Sequence, residues 1–84
     1  MRIVKRDGTT QPFMPNKLLK RIKEQSADLE VDSDILFQMI VPLITDNMTT
    51  TEIDELTAFK AADNIIRHPD YALLGGRILM TRQS

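Results

Sequence analysis

The chain has 84 residues, of which 42% are hydrophobic and 27% charged, and it contains no cysteine. This is the balance of one ordinary globular domain, and it excludes a disordered tail, a disulfide scaffold and any thiolate metal site or cysteine nucleophile. A single histidine, His68, cannot alone form a metal site or a catalytic relay. The longest uncharged apolar stretch has about half the length that a helix needs to span a bilayer. Composition therefore predicts a cytoplasmic binding or interaction module with no membrane association, and not an enzyme.

Charge is unevenly distributed along the chain. Residues 1–23 hold seven basic residues and one acid, whereas residues 24–84 hold four basic residues and eleven acids. This asymmetry predicts either an anionic ligand at the N-terminal segment or a basic stretch that only neutralises an acidic one within the fold.

The first predicted elements are two strands over residues 2–6 and 9–14. Asp7 and Gly8 form the turn between them, because glycine adopts a positive φ without a steric clash. Pro12 has no N–H to donate, so the second strand should lie at a sheet edge.

Alternation along the first strand predicts which side chains share a face. Lys5 should lie on the face of Ile3, and Arg6 on the face of Val4. The hairpin then presents a basic side chain beside an aliphatic one on each of its faces.

Two helices are predicted next, over residues 16–27 and 33–45. The apolar stripe of the first helix is formed by Leu18, Leu19 and Ile22. Its solvated face is formed by Lys17, Lys20, Arg21 and Lys23. The second is apolar on nearly all sides, which is typical of a buried helix. Pro42 should kink it or end its regular hydrogen bonding.

A third helix is predicted to begin at Thr49, which forms a capping box with Glu52, and to run to about Arg67. Pro69 cannot continue it, and His68 beside that proline is interpreted as a solvated linker residue.

A fourth helix is predicted over residues 71–82. Gly75 and Gly76 within it should permit a close helix-to-helix approach. The prediction is an α+β fold in which a small β-hairpin or short sheet caps a four-helix bundle, as one domain over residues 1–84.

Asp54 is the most informative acid. It heads a stripe of Ala58, Ala61 and Ile65 at helical spacing, so it should lie on a buried face. The simpler interpretation is an acid in the first turn of the helix, favoured by the helix dipole. A third possibility is that the basic hairpin lies over the N-terminal end of this helix, close to Asp54. The basic side chains and the helix-end amides could then bind phosphates, and the Asp54 carboxylate could accept a hydrogen bond from a ribose hydroxyl.

Other nucleotide and nucleic-acid signals are absent from the sequence. Neither the P-loop nor the dinucleotide-binding glycine pattern occurs. Aromatic residues number four, and only Phe13 lies near the basic stretch, which disfavours a base-stacking nucleic-acid platform.

Three blocks of the sequence together resemble the ATP-cone domain, as found at the N-terminus of the large (alpha) subunit of ribonucleotide reductase. The first is Val4-Lys5-Arg6-Asp7-Gly8 with Phe13 and Lys17; the second is Thr50 to Asp54 with Ala61-Ala62; the third is His68-Pro69-Asp70-Tyr71 with Leu74 and Arg77-Ile78. The third block, and the lack of cysteines, favour the reductase over the zinc-ribbon repressor that also carries an ATP-cone.

The resemblance implies an allosteric site with no catalytic residues. Its effector would be ATP, which keeps the reductase active, or dATP, which switches it off by changing the oligomeric state, with or without Mg²⁺. The partners implied are the catalytic part of the reductase, its small subunit, and other cones or subunits in an oligomer.

The resemblance also assigns roles to individual residues. Lys5 and Arg6 would hold phosphates, and Lys17 the phosphates or the sugar. The adenine would contact three apolar side chains, Ile3, Leu18 and Ile53. The base and sugar end would be lined by Gln11, Met14 and Thr50. Asp54 would contact the ribose and support the choice between ATP and dATP.

Two departures from the family pattern are visible. Gln11 stands where many members have an acid. Family members also extend the fourth helix to a further basic residue near the phosphates, which this chain lacks because it stops at Ser84, so its last helix is expected to be truncated. Two alternative functions stay open: a free-standing helical interaction module whose basic hairpin binds an acidic partner, and nucleic-acid binding through the same segment.

Overall fold

The fold was determined as a computed structural model that describes residues 1–81. It contains, in chain order, β1 (Arg2–Val4), β2 (Thr10–Pro12), α1 (Pro15–Gln25), α2 (Ser33–Ile40), a 3₁₀ turn (Val41–Leu43), β3 (Met48–Thr49), α3 (Thr50–Asp63) and α4 (Asp70–Met80). The predicted α+β architecture, a small sheet beside four helices, is confirmed. No helix in the described part of the chain has both the length and the apolar character needed to cross a membrane.

The sheet has three strands in the order β2-β1-β3. β2 pairs antiparallel with β1 and lies at the edge, as Pro12 predicts. Gly8 has a φ of 87° in the turn, and its N–H donates to the carbonyl of Lys5 at 2.9 Å. The parallel partner β3 was not predicted, because two residues that immediately precede a helix carry no strand periodicity. Its pairing places the first turn of α3 directly beside β1.

The start of α3 matches the predicted capping box. The Thr49 hydroxyl accepts from the Glu52 N–H, and the Glu52 carboxylate accepts from the Thr49 N–H, both at 3.0 Å. The second of these bonds is the main reason that the pKa of Glu52 lies below its ordinary value. α3 ends at Asp63 and not near Arg67, because the Asn64 amide group donates to the Lys60 carbonyl and closes the last turn.

The second helix is shorter than predicted. α2 ends at Ile40, and the chain tightens into the 3₁₀ turn around Pro42, which confirms that this proline ends the regular bonding. The expectation that this segment is buried on all sides is wrong, since Ile35 and Leu43 are exposed.

The two glycines of α4 differ in their surroundings. A Cβ on Gly75 would lie 3.4 Å from the Ala58 carbonyl oxygen and 3.7 Å from the Ala61 Cβ, so α3 and α4 do approach closely there. A Cβ on Gly76 would meet no atom within 4 Å, so the close-approach prediction is wrong for Gly76. The predicted end of this helix at Arg82 lies outside the described residues.

The core joins all four helices to the central strand. Its buried members are Ile3, Leu18, Ile22, Leu36, Ile40, Ile44, Ile53, Ala61, Leu74 and Ile78. On the outer side of α4, Arg77 donates to both Asp28 carboxylate oxygens, at 2.6 and 3.0 Å, and this bond holds the pKa of Asp28 below its ordinary value. The core and this pair position α1, α3 and the sheet around one cleft.

Candidate functional site

A cleft of about 240 Å³ lies between the sheet, α1 and α3. Eleven residues line it: Ile3, Lys5, Gln11, Phe13, Met14, Lys17, Leu18, Arg21, Thr50, Ile53 and Asp54. The sequence places them there by simple periodicity. Alternation along β1 and its continuation puts two of them on one face of the strand, and spacings of three and four residues do the same on each helix.

Nine of the ten residues singled out in the sequence line this cleft, and Arg6 does not. Arg6 is exposed and lies in the turn that follows β1, outside the strand in which side chains alternate between faces. Its assignment to the phosphates therefore stays a prediction, as do the roles of the other nine.

Sequence reasoning missed two residues of the cleft, Phe13 and Arg21. The prediction that Arg21 lies on the solvated face of α1 is wrong, since its side chain is only 15% exposed. Helical spacing indicates the face of Arg21, which follows Lys17 by four residues and Leu18 by three, but it does not by itself predict burial, because Lys17 on that face is exposed.

Asp54 is buried, with 4% of its surface exposed, and forms a close ion pair with Arg21. It is the fifth residue of α3, beyond the first turn, and the acid of that turn is Glu52. The helix dipole therefore does not account for Asp54. The apolar stripe that follows it ends at Ala61, because Ile65 lies beyond the helix and is exposed.

The guanidinium of Arg21 also reaches the end of α4. Its Nη1 donates to Asp54, while its Nη2 donates to the carbonyls of Ile78 and Thr81, at 3.1 and 2.9 Å. A single, partly buried cation thus bridges α1, the start of α3 and the C-terminal turn of α4.

The basic side chains at the cleft differ in whether they form a salt bridge with an acidic side chain. Arg21 is engaged by Asp54, whereas Lys5 and Lys17 form no ion pair within residues 1–81. The cleft therefore combines buried aliphatic side chains, two lysines that form no salt bridge in that range, and the positive end of α3 at Thr50. The charge of Lys5 also acts on Asp7 of the turn, and it contributes to the lowered pKa of that carboxyl. This combination suits a flat apolar group that carries a separate anionic group. The described residues hold no cluster of three or more His, Asp or Glu side chains that could bind a metal ion.

Comparison with known proteins identifies the family. The sequence model of the ATP cone domain matches residues 1–84. The chain belongs to the ATP-cone family. It is 34% identical over 82 residues to the ribonucleoside-diphosphate reductase large subunit of Trypanosoma brucei brucei, 33% identical over 84 residues to that of Danio rerio, and 32% identical over 79 residues to the reductase subunit alpha of Enterobacteria phage T4.

These matches cover 93–96% of this chain but only 10–11% of the relatives. The chain therefore spans only about a tenth of the length of these reductase subunits, and the ATP cone model covers all of it. The resemblance noted in the sequence is confirmed.

Proposed function

We propose that this ATP cone binds ATP or dATP in the cleft, as an allosteric effector of a ribonucleotide reductase. The observation that supports this most is the conjunction of an aliphatic surface and two lysines that form no salt bridge among residues 1–81, in a chain whose family model is an ATP cone. Adenine needs the first feature, and a polyphosphate needs the second.

The size of the cleft indicates how a nucleotide would lie. Pockets that enclose a drug-sized ligand have volumes of about 300–1,000 Å³, and this cleft has about 240 Å³. The adenine and part of the ribose would occupy it, against Ile3, Leu18 and Ile53. The triphosphate, with or without Mg²⁺, would extend toward Lys5 and Lys17 at the basic end of the molecule.

The polar side chains supply the remaining selectivity. Gln11 offers the paired donor and acceptor of an amide, which matches the adjacent acceptor and amino group of adenine. Asp54 would accept a hydrogen bond from the ribose, and an ionised acceptor strengthens such a bond. Met14 and Thr50 complete the base and sugar end.

Thermal unfolding of the chain with ATP, dATP, GTP and a short oligonucleotide tests this function. A ligand at about 100 times its Kd adds about 2.7 kcal/mol to the free energy of unfolding, which is a shift in Tm of about 10 °C or more for a domain of this size. We expect this shift with ATP and dATP. A shift with the oligonucleotide alone would favour the nucleic-acid alternative, and no shift with any of the four would favour a protein-docking module.

We extend the proposal to regulation through the oligomeric state, with a second cone as the partner. Two features support it: the relatives are named as subunits of an assembled enzyme, and Leu73 and Met80 on α4 are 54% and 87% exposed. Sedimentation velocity of the chain should show a larger species with dATP than with ATP. The variant Leu73→Glu should remain monomeric with both nucleotides. Identical sedimentation of the native chain with dATP, with ATP and without nucleotide would contradict this extension.

A further inference from the structure

The side chain of Arg21 joins the sugar end of the cleft to the C-terminal turn of α4. Its Nη1 is paired with Asp54, and its Nη2 is shared between the carbonyls of Ile78 and Thr81. Carbonyls in the last turn of a helix lack intrahelical partners and carry the negative end of the helix dipole. One guanidinium therefore satisfies a carboxylate on one side and a helix terminus on the other.

This bridge is anchored on a buried carboxylate, and its guanidinium is partly shielded from water, which makes it sensitive to the loss of either partner. The Arg21 side chain is 15% exposed and the Asp54 side chain 6% exposed. The Nε–H of Arg21 is buried and finds no acceptor among the described residues, so the two Nη groups carry all of its hydrogen bonding there. A buried charge that loses one partner is strongly destabilised, because little water is available to replace that partner. A change at Asp54 must then alter the hold of Arg21 on α4.

We propose that Arg21 is the positioning residue that couples nucleotide occupancy to the C-terminal turn of α4. This inference rests on the proposed function, because it needs a nucleotide in the cleft. A nucleotide in the cleft would cover the part of the Arg21 side chain that is still exposed, 15%, and so lower the local dielectric constant around the ion pair, which strengthens the pair. The stronger pair restricts the Arg21 side chain, and its hydrogen bonds to the Ile78 and Thr81 carbonyls then restrict the end of α4. Arg21 touches no part of the nucleotide in this account and acts through Asp54.

Amide hydrogen exchange of the native chain, with and without saturating ATP, tests this coupling. The relevant amides are those of residues 78–81. We expect ATP to slow their exchange by at least about fivefold, the lower end of typical coupling between sites. The amides at the C-terminal end of α3, residues 61–63, provide an internal comparison, because they also lie at a helix end but far along α3 from the cleft. They should respond less than the amides of α4.

Two arginine variants provide the matched comparison. In Arg21→Gln, residues 78–81 should exchange faster without nucleotide, and ATP should no longer slow them selectively. In Arg77→Gln, which loses the outer pair with Asp28, α4 should also loosen, but the selective effect of ATP should remain. If Arg21→Gln does not fold, Asp54→Asn serves instead. It keeps an acceptor for Arg21 but removes the charge, so residues 78–81 should exchange faster without nucleotide and the selective ATP effect should fall, as in Arg21→Gln but to a smaller extent.

The outcomes separate this inference from the proposed function. Calorimetric binding of ATP to the native chain without selective protection of residues 78–81 would overturn the coupling and leave the function standing. Selective protection that persists in Arg21→Gln, or in Asp54→Asn, would also overturn it. No binding of ATP to the native chain would contradict the proposed function, and the coupling would fall with it.

Discussion

Lys5 and Lys20 carry the same charge in different surroundings. Lys5 lines the cleft, whereas Lys20 is 79% exposed on α1 and lies 3.9 Å from Glu24. A charged hydrogen bond to phosphate contributes about 1.5–3 kcal/mol, while an exposed pair within a helix contributes about 0.3–0.5 kcal/mol. The two lysines therefore form a matched pair for testing the site.

We predict that Lys5→Ala weakens ATP binding by about ten- to hundredfold and leaves the Tm of the free chain nearly unchanged. Lys20→Ala serves as the control and should bind ATP almost as the native chain does. Isothermal calorimetry at two salt concentrations measures both. Equal losses in the two variants would mean that only the overall charge of the segment matters, and the cleft would not hold the phosphates.

Asp54 provides the second prediction at this scale. ATP and dATP differ by one hydroxyl, and Asp54→Asn preserves the shape of the side chain while removing its charge. We expect the ratio of ATP to dATP affinity to change by severalfold or more, since the ionic hydrogen bond to the sugar contributes about 1–2 kcal/mol. Parallel titrations of both nucleotides into both proteins measure the ratio. An unchanged ratio would leave Asp54 with a structural role only, as the partner of Arg21.

The family resemblance named most of the residues that line the cleft, residue patterns alone pointed only to the basic hairpin and Asp54, and both missed the ion pair of Asp54 with Arg21. Lys5 and Asp54 were found from strand alternation and helical spacing, which depend only on local geometry. Arg21 was missed because a basic residue among three lysines is typical of a solvated face. Its burial depends on a tertiary contact with α3 and α4, 33 and 57 residues away, which no local pattern contains.

At the scale of elements, α4 carries two adjacent glycines with different roles. Gly75 lies against α3, and Gly76 has open space beside it. Glycine inside a helix costs about 1 kcal/mol relative to alanine, and nothing within the described residues requires Gly76 to lack a side chain.

We predict that Gly76→Ala raises the free energy of unfolding by about 0.5–1 kcal/mol, which is about 2–8 °C in Tm. Gly75→Ala should stabilise less, because its new methyl group contacts the Ala58 carbonyl of α3. Urea unfolding of both variants compares them. A larger gain at Gly75 than at Gly76 would contradict the packing described for this helix pair.

Element ends were harder to predict than element types. The capping box at Thr49 and the break at Pro42 were predicted correctly, because each depends on the chemistry of one or two residues. The end of α3 was placed too late, since its closure depends on the Asn64 side chain bonding to the Lys60 carbonyl. The strand β3 depends on pairing with β1, 45 residues earlier, and has no local signal of its own.

At the scale of the whole molecule, the basic N-terminal segment and the acidic remainder meet at the cleft. The charge asymmetry of the sequence allowed two interpretations, an anionic ligand or internal neutralisation. The structure shows internal neutralisation for Arg21, which pairs with Asp54, and for Lys20 and Lys23, which pair with Glu24 and Asp34. Lys5 and Lys17 form no salt bridge in the described part of the chain, and an anionic ligand for them stays a prediction.

The central claim is that this ATP cone binds adenine nucleotides through the cleft. Calorimetric titration of the native chain with ATP and, separately, with GTP tests it most directly. We predict saturable binding of ATP, and binding of GTP at least about tenfold weaker, a difference of about 1.4 kcal/mol. No heat with ATP up to millimolar concentration, or equal affinities for ATP and GTP, would contradict the account.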